Sequence, residues 1–292
     1  MTRQRHRVRT GPLMTPAVGM LLVWMIVPLL MTLWFSAQRY NLLDPGGTAF
    51  AGLENYRDLV TGRALWVAMG NTLLLVGAVL AITLAGGTLL AVLLDREFPG
   101  RNICRLLVIA PFFVMPTVSA LVWKNMLMNP VFGLIAWITR SLGLGAPDFF
   151  ATAPLAAIIL IVAWEWTPFA VLILLPALQS LSKEQREAAR MDGAGAAAMF
   201  LHVELPHLRR PMVVVAMIET IFFLSLFAEI YVTTAGGPGL ASTNLAYLIF
   251  QDALFEWDVG LASAGGVVAI ALANVVAIFL MRVVGRTLEA ER

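Results

Sequence analysis

The sequence predicts an all-α membrane protein with six transmembrane helices, and three observations carry that prediction. Of 292 residues, 60% are apolar and only 13% charged, whereas soluble chains carry about 25% charged residues. The apolar residues gather into six runs, near 13–36, 67–94, 104–127, 153–179, 211–232 and 259–283. Each is close to the roughly 20 helical residues that cross about 30 Å of hydrocarbon. The basic residues fall mostly on one side of these runs.

The first run follows Arg3, Arg5, Arg7 and Arg9, the flank of a secretory signal. It is too long for an h-region of about 7–15 residues and no small-residue cleavage site closes it, so it reads as a retained helix. The second run leads into the basic 95–103 loop. The third opens at Cys104, the lone cysteine, which has no partner for an intrachain disulfide. The fourth holds Trp164-Glu165-Trp166-Thr167-Pro168, where Pro168 is expected to kink the helix and free backbone carbonyls. The fifth carries Glu219 and Glu229, and the sixth closes the pattern.

An even number of spans puts both termini on one side. With the N-terminus inside, cytoplasmic segments hold 15 of the 20 basic residues, and external ones keep Arg39, Arg57, Arg63, Lys124 and Arg140. Basic loops stay cytoplasmic because their translocation is opposed during insertion. The 233–258 loop, external in this scheme, contains Asp252, Glu256 and Asp258 but no Lys or Arg. The expected layout is therefore cytoplasmic tails at 1–12 and 286–292, a transmembrane domain at 13–285 and a cytoplasmic loop at 180–210. A pI near 9 does not point to nucleic acid, because the basic residues are spread over short loops and form no single patch.

Within the 180–210 loop, Ser182-Lys183-Glu184-Gln185 has the form of a capping box. Helix formers follow from Arg186 to Arg190, and Gly193 stands where a helix ends in a left-handed turn. A second short helix is expected through 194–202, before Pro206 opens the next element. Ala188 and Ala189 permit close approach of another protein's backbone, and Gly193 permits the tight turn. The plainer reading of such a stretch is a solvated amphipathic connector.

The whole string argues otherwise. Glu187-Ala188-Ala189-Arg190-Met191-Asp192-Gly193-Ala194, followed by Val203-Glu204-Leu205-Pro206, closely resembles the EAA loop of the membrane subunits of binding-protein-dependent ABC importers, with Val203 where the family has Ile. Phe50-Ala51-Gly52-Leu53-Glu54-Asn55-Tyr56 looks like the F-x-G-L-x-N-Y segment after the first span of sugar permeases. Gly70-Asn71-Thr72 resembles their second-span entry, and Thr234-Ala235-Gly236-Gly237-Pro238-Gly239 their T-x-G-G-P-G loop.

The resemblance covers about residues 13–285. It implies the six-helix, maltose-permease-like fold of type I importers, the last five spans forming the core and the first wrapping a partner permease. It implies a translocation pathway worked by alternating access, in a bacterial cytoplasmic (inner) membrane. Glu187, Ala188, Ala189, Asp192, Gly193, Leu205 and Pro206 would couple it to an ATPase, Glu187 facing the ATPase groove. The implied partners are a second permease subunit in a heterodimer, two copies of a cytoplasmic ABC ATPase that bind ATP and Mg, and a periplasmic or extracellular solute-binding protein. The stretch from Phe227 to Thr234, continuing through Ala241 to Leu245, looks most like permeases for sugar alcohols such as mannitol and sorbitol.

Glu165, Glu219 and Glu229 fall within the apolar runs. A charge near the bilayer centre costs about 2.5–3.5 kcal/mol on insertion scales, so such residues face a cavity or a partner. Trp164 and Trp166 flank Glu165, and Phe222 and Phe223 follow Glu219 by one turn. Aromatic faces beside hydrogen-bonding groups suit a sugar or polyol, because C–H faces stack while hydroxyls need polar partners. Glu165 and Glu219 each have two readings, substrate pathway or brace across the helices. Glu229 reads as a packing or gate residue, and the candidate substrate-pathway residues are Trp164, Glu165, Trp166, Glu219, Phe222, Phe223 and Glu229.

No G-x-x-x-x-G-K-[ST] phosphate loop occurs, so this chain has no usual means of binding ATP. The three histidines, His6, His202 and His207, are too scattered for a metal cluster. No nucleophile–base arrangement points to an enzyme. A proton-coupled secondary carrier of small polar solutes is the second reading, since intramembrane carboxylates also serve proton relays. The two repeated halves usual in carriers are not evident.

Overall fold

The computed structural model describes residues 11–289, with side chains from Met14 to Arg282. The N-terminal arginines Arg3, Arg5, Arg7 and Arg9 and the last residues of the expected C-terminal tail, 290–292, lie outside the described residues. The chain divides into two compact units. One holds the residues up to Gly62 together with Ile249–Val268; the other holds Arg63–Leu248 and the residues from Ala269 onward.

The first unit begins with α1 (Gly11–Ser36) and a two-stranded hairpin of β1 (Gln38–Arg39) and β2 (Ala49–Phe50), followed by α2 (Glu54–Thr61). The Phe50–Tyr56 motif is the clamp that ends α1. Gly52, at φ +59°, turns the chain so that its N–H and that of Ala51 both donate to Ala37 O. Asn55, buried, then donates to Ser36 O and Gln38 O at 2.8 Å each, and Tyr56 donates to Ser36 Oγ at 2.7 Å. Orphan carbonyls at the end of a helix need such partners.

The second unit is built on α3 (Arg63–Asp95). Next come α4 (Arg101–Ile109), α5 (Pro116–Val122), α6 (Leu134–Ser141) and α7 (Phe149–Thr152). The long α8 (Pro154–Gln179) packs along α3. Gly87 sets the spacing: a Cβ there would meet Ala170 Cβ at 2.5 Å. Ala91, Leu94, Ala170, Val171, Leu174 and Leu178 fill the seam, with Leu208 and Val215 against it. The latter two come from α11 (Leu205–Leu224), which follows α9 (Lys183–Met191) and α10 (Ala196–Met199).

After α12 (Ala228–Thr233), the Thr234–Gly239 loop turns on Ala235, Gly236 and Gly239, all at positive φ. It is joined to the Gly70-Asn71-Thr72 motif, which lies on α3. Asn71 donates to Leu240 O and Thr243 O at 2.9 Å. Thr72 Oγ1 accepts from Leu245 N at the start of α13 (Leu245–Leu254). The last helix is α14 (Val259–Glu289).

Four helices among the described residues are long and apolar enough to cross a membrane: Met14–Ser36, Arg63–Asp95, Pro154–Gln179 and Val259–Arg282. The third and fifth expected spans, 104–127 and 211–232, are each interrupted. The third bends by 105° between Arg101–Phe113 and Pro116–Leu127. Pro116 causes the bend: a residue before proline is pushed out of the helical region, and Met115 is extended at ψ 137°. The fifth stops at Leu224 and restarts at Ala228, and Asn244 Nδ2 satisfies the freed Leu226 carbonyl at 2.5 Å.

Pro206 lies in the first turn of α11, as expected, yet the chain reaches it without leaving the helix. Helix runs from Ala196 into α11 through one wide turn over Phe200–Glu204, in which Leu205 N donates to Phe200 O. Widening the turn absorbs a proline that lacks an N–H and crowds the preceding carbonyls.

Candidate functional site

Two places in the second unit collect the residues singled out by sequence. The first is the loop between α8 and α11. Ser182 caps α9 by accepting from Gln185 N at 3.2 Å, which satisfies one of the free N–H groups of the first turn. At the other end, Ala194 N donates to Ala189 O and Gly193 N to Arg190 O, both at 3.0 Å. With Gly193 at φ +84°, this is the paired-bond ending of a Schellman motif. A Cβ at Gly193 would meet nothing within 4 Å, so the backbone angle, not space, demands glycine there.

The surface so presented is open. Glu187, Ala188 and Asp192 are exposed, Ala189 is half-buried, and Leu205 and Pro206 lie half-buried in the helix behind. Met191 is 89% exposed at the tip. A flexible thioether held in solvent suits an adaptable contact surface, and sequence reading passed it over. Beneath the loop lies a cavity of about 1050 Å3, lined by Asp95, Arg186, Arg190, Phe200 and Glu204 among others.

The second place is a pocket of about 280 Å3 lined by Pro116, Trp166, Phe222, Phe223, Ser225, Leu226, Phe227, Ala228 and Glu229. It sits where both interrupted spans break. Irregular backbone at membrane depth survives only when buried in protein or lining a cavity, so the breaks and the pocket belong together. Trp166 is its aromatic centre, with ring centroids 4.9 Å from Phe222, 5.3 Å from Phe223 and 5.8 Å from Phe112 and Phe169.

Four of the seven expected pathway residues line this pocket: Trp166, Phe222, Phe223 and Glu229. The other three separate from it for a helical reason, since neighbours along a helix point about 100° apart. Glu165 is buried and faces Ser119 and Glu229, and its Oε2 has no hydrogen-bond partner among the described residues. Trp164 turns the other way, partly exposed, against Trp123 at 5.6 Å. Glu219 is fully buried, and its Oε2 accepts from Thr83 Oγ1 on α3 at 2.5 Å, the geometry of a brace between α11 and α3.

Phe227 and Pro116 are pocket residues that sequence reading missed. Pro116 was legible as a helix breaker; Phe227, stacked on Tyr231 at 5.5 Å, stood in the stretch that resembles sugar-alcohol permeases, with nothing to mark it as a pocket residue. Among the described residues, no group of His, Cys, Asp and Glu is placed to hold a metal ion.

Comparison with known proteins places the chain as a whole in a family. Residues 86–290 match the model of a family described as "Binding-protein-dependent transport system inner membrane component". A probable ABC transporter permease protein of Sinorhizobium fredii, y4oQ, is 33% identical over 90% of this chain and 86% of its own. The trehalose/maltose transport system permease protein MalF of Thermococcus litoralis is 33% identical over 81% of this chain and 80% of its own. Among solved structures, a bacterial alginate ABC transporter in complex with an alginate pentasaccharide-bound periplasmic protein superposes at a TM-score of 0.78. That match has 20% identity and covers 92% of this chain and 91% of the other.

Proposed function

This chain belongs to the binding-protein-dependent transport system inner membrane component family, as a membrane-spanning permease subunit of an importer, and from that premise we propose that it carries a sugar or sugar alcohol past the Trp166 pocket. The observation that carries the proposal is the pocket itself. Two broken spans open onto aromatic faces and a buried carboxylate, the pairing a polyhydroxylated solute needs. At about 280 Å3 it lies just below the roughly 300–1,000 Å3 usual for small-molecule sites, a size for one sugar unit at a time.

ATP hydrolysis belongs to a separate ATPase, and the 180–210 loop is where its stroke enters in this reading. Glu187, Ala188 and Asp192 form the docking face, with Gly193 fixing the turn and Leu205 and Pro206 anchoring it to α11. The remaining partners follow the same arrangement: a second permease, two ATPase copies holding ATP and Mg, and a solute-binding protein outside. Relatives named for trehalose and maltose support a sugar. The alginate neighbour, at 20% identity, speaks only for the fold.

Uptake tests the proposal directly. Reconstituted with ATPase and binding protein, the permease is expected to accumulate a labelled sugar or polyol only when ATP is supplied. Uptake by this chain alone under a proton gradient would overturn the importer reading in favour of the secondary carrier. A binding protein that prefers amino acids or anions would overturn the substrate class. Orientation is tested separately: in a Cys104→Ser background, single cysteines at Thr61 and Ala241 should react with an impermeant thiol reagent added outside, and one at Gln185 should not.

A further inference from the structure

Arg186 stands one residue before Glu187, and its guanidinium joins three helices. Nη1 donates to Asp95 Oδ2 at 2.6 Å and Nη2 to Leu178 O at 3.0 Å. Asp95 is the last residue of α3, and Leu178 lies in the last turn of α8. The pair is shielded, the two side chains keeping 24% and 13% of their exposure. Next to it, Arg105 donates to Leu94 O at 2.9 Å, so the end of α3 is held from two sides.

Helix C-termini carry partial negative charge and unpaired carbonyls. A guanidinium set between two such ends is held by both, and only a planar fork serves them together; an ammonium is a single point charge. From Arg186 the contacts lead inward. α3 carries Thr83, which holds Glu219, and α8 carries Trp166 at the pocket.

We propose that Arg186, paired with Asp95, is the positioning residue that transmits displacement of the docking loop to α3 and α8. Nothing in the loop's resemblance assigns this role, and it rests on the coupling reading of that loop. Spatial continuity alone does not establish transmission; energetic coupling does, and a double-mutant cycle measures it.

The experiment uses the complete importer in liposomes, with ATPase and binding protein, and reads sugar uptake per ATP hydrolysed. Arg186→Gln and Asp95→Asn should each assemble and hydrolyse ATP yet lose about tenfold in that ratio, within the range of allosteric couplings. The double variant should be no worse than either single one. Arg186→Lys, which keeps the charge and loses the fork, should fall between, and it supplies the reading if Arg186→Gln does not assemble. An unchanged ratio, a parallel fall in assembly, hydrolysis and uptake, or additive losses in the double variant would overturn the role. Gly193→Val, run alongside, separates the failures. If it uncouples while the Arg186 and Asp95 variants do not, only the transmission role falls; if it too leaves the ratio unchanged, the loop reading falls and takes this role with it.

Discussion

The 180–210 loop and the aromatic pocket are built in opposite ways. The Ser182 cap and the backbone bonds from Ser182 to Ala194 join residues three to five apart, with the Arg186 side chain reaching out, to Asp95 and Leu178. The pocket draws on Pro116, Trp166 and the 222–229 stretch, and its backbone break is held by Asn244, 18 residues beyond the carbonyl it satisfies. The loop presents exposed side chains; the pocket sets the exposed Phe222 beside the buried Phe223 and Glu229. Local, exposed function leaves a contiguous string in a sequence, whereas buried function assembled across helices leaves scattered residues whose company has to be found.

The sharpest way to break this contrast is at Gly193. A non-glycine residue held at φ +84° costs about 1–2 kcal/mol, roughly a tenfold fall in the population of the turn. Gly193→Val should therefore cut ATP-driven uptake about tenfold while the spans insert normally, and Gly193→Asn should cost less. Equal loss from Val and Asn would point to bulk instead of backbone, against the open space around that Cβ.

On the pocket side, Phe222→Ala removes an exposed aromatic face 4.9 Å from Trp166. Half-saturation of uptake should rise about three- to tenfold, the worth of one aromatic contact, with ATP affinity unchanged. Glu229→Gln should act in the same direction. Glu219→Gln should leave saturation unchanged, because its carboxyl meets Thr83 and not the pocket. A substrate effect at Glu219 with none at Glu229 would exchange the roles given to them.

What sequence made legible follows the same division. The cap at Ser182, the turn at Gly193 and four pocket residues were readable because helix-capping rules are local and because carboxylates and aromatics are conspicuous inside apolar runs. Grouping Trp164 with Trp166 went too far, since residues two apart on a helix face nearly opposite ways. The continuous third and fifth spans were misread for different reasons. Pro116 marks the first break in the sequence itself; the break after Leu224 contains neither proline nor glycine and depends on Asn244 arriving from another segment. Asn55 and Asn71 were visible inside their motifs, but their work, holding carbonyls at the end of α1 and in the 240–243 loop, depends on tertiary contact.

A smaller effect sharpens the local side. Ser182→Ala removes the one side-chain bond at the start of α9, worth about 1 kcal/mol to a helix end. Uptake should fall a few-fold, and Ser182→Asp should restore it, because Asp caps as well as Ser and adds charge at the positive end of the helix. If Ser182→Asp is as poor as Ser182→Ala, the serine is a contact residue and not a cap.

The smallest effect lies away from both places, in the 233–258 segment. Asp252 is buried there, and burial first, then the charges of Asp258 and Glu256, push its carboxyl up to about 6. A carboxyl raised in the folded state favours the protonated form. Its contribution is therefore complete below its usual titration range and is lost as pH rises through about 6. Asp252→Asn mimics the protonated form at every pH. The variant should match the parent protein at pH 4 and melt higher than it at pH 8, by on the order of 1 kcal/mol once solvent screening is allowed for. Melting curves of the detergent-solubilised protein at the two pH values measure this. A difference that is the same at both, or larger at pH 4, would mean that Asp252 carries its charge in the folded state and is paired by a group other than the two acids beside it.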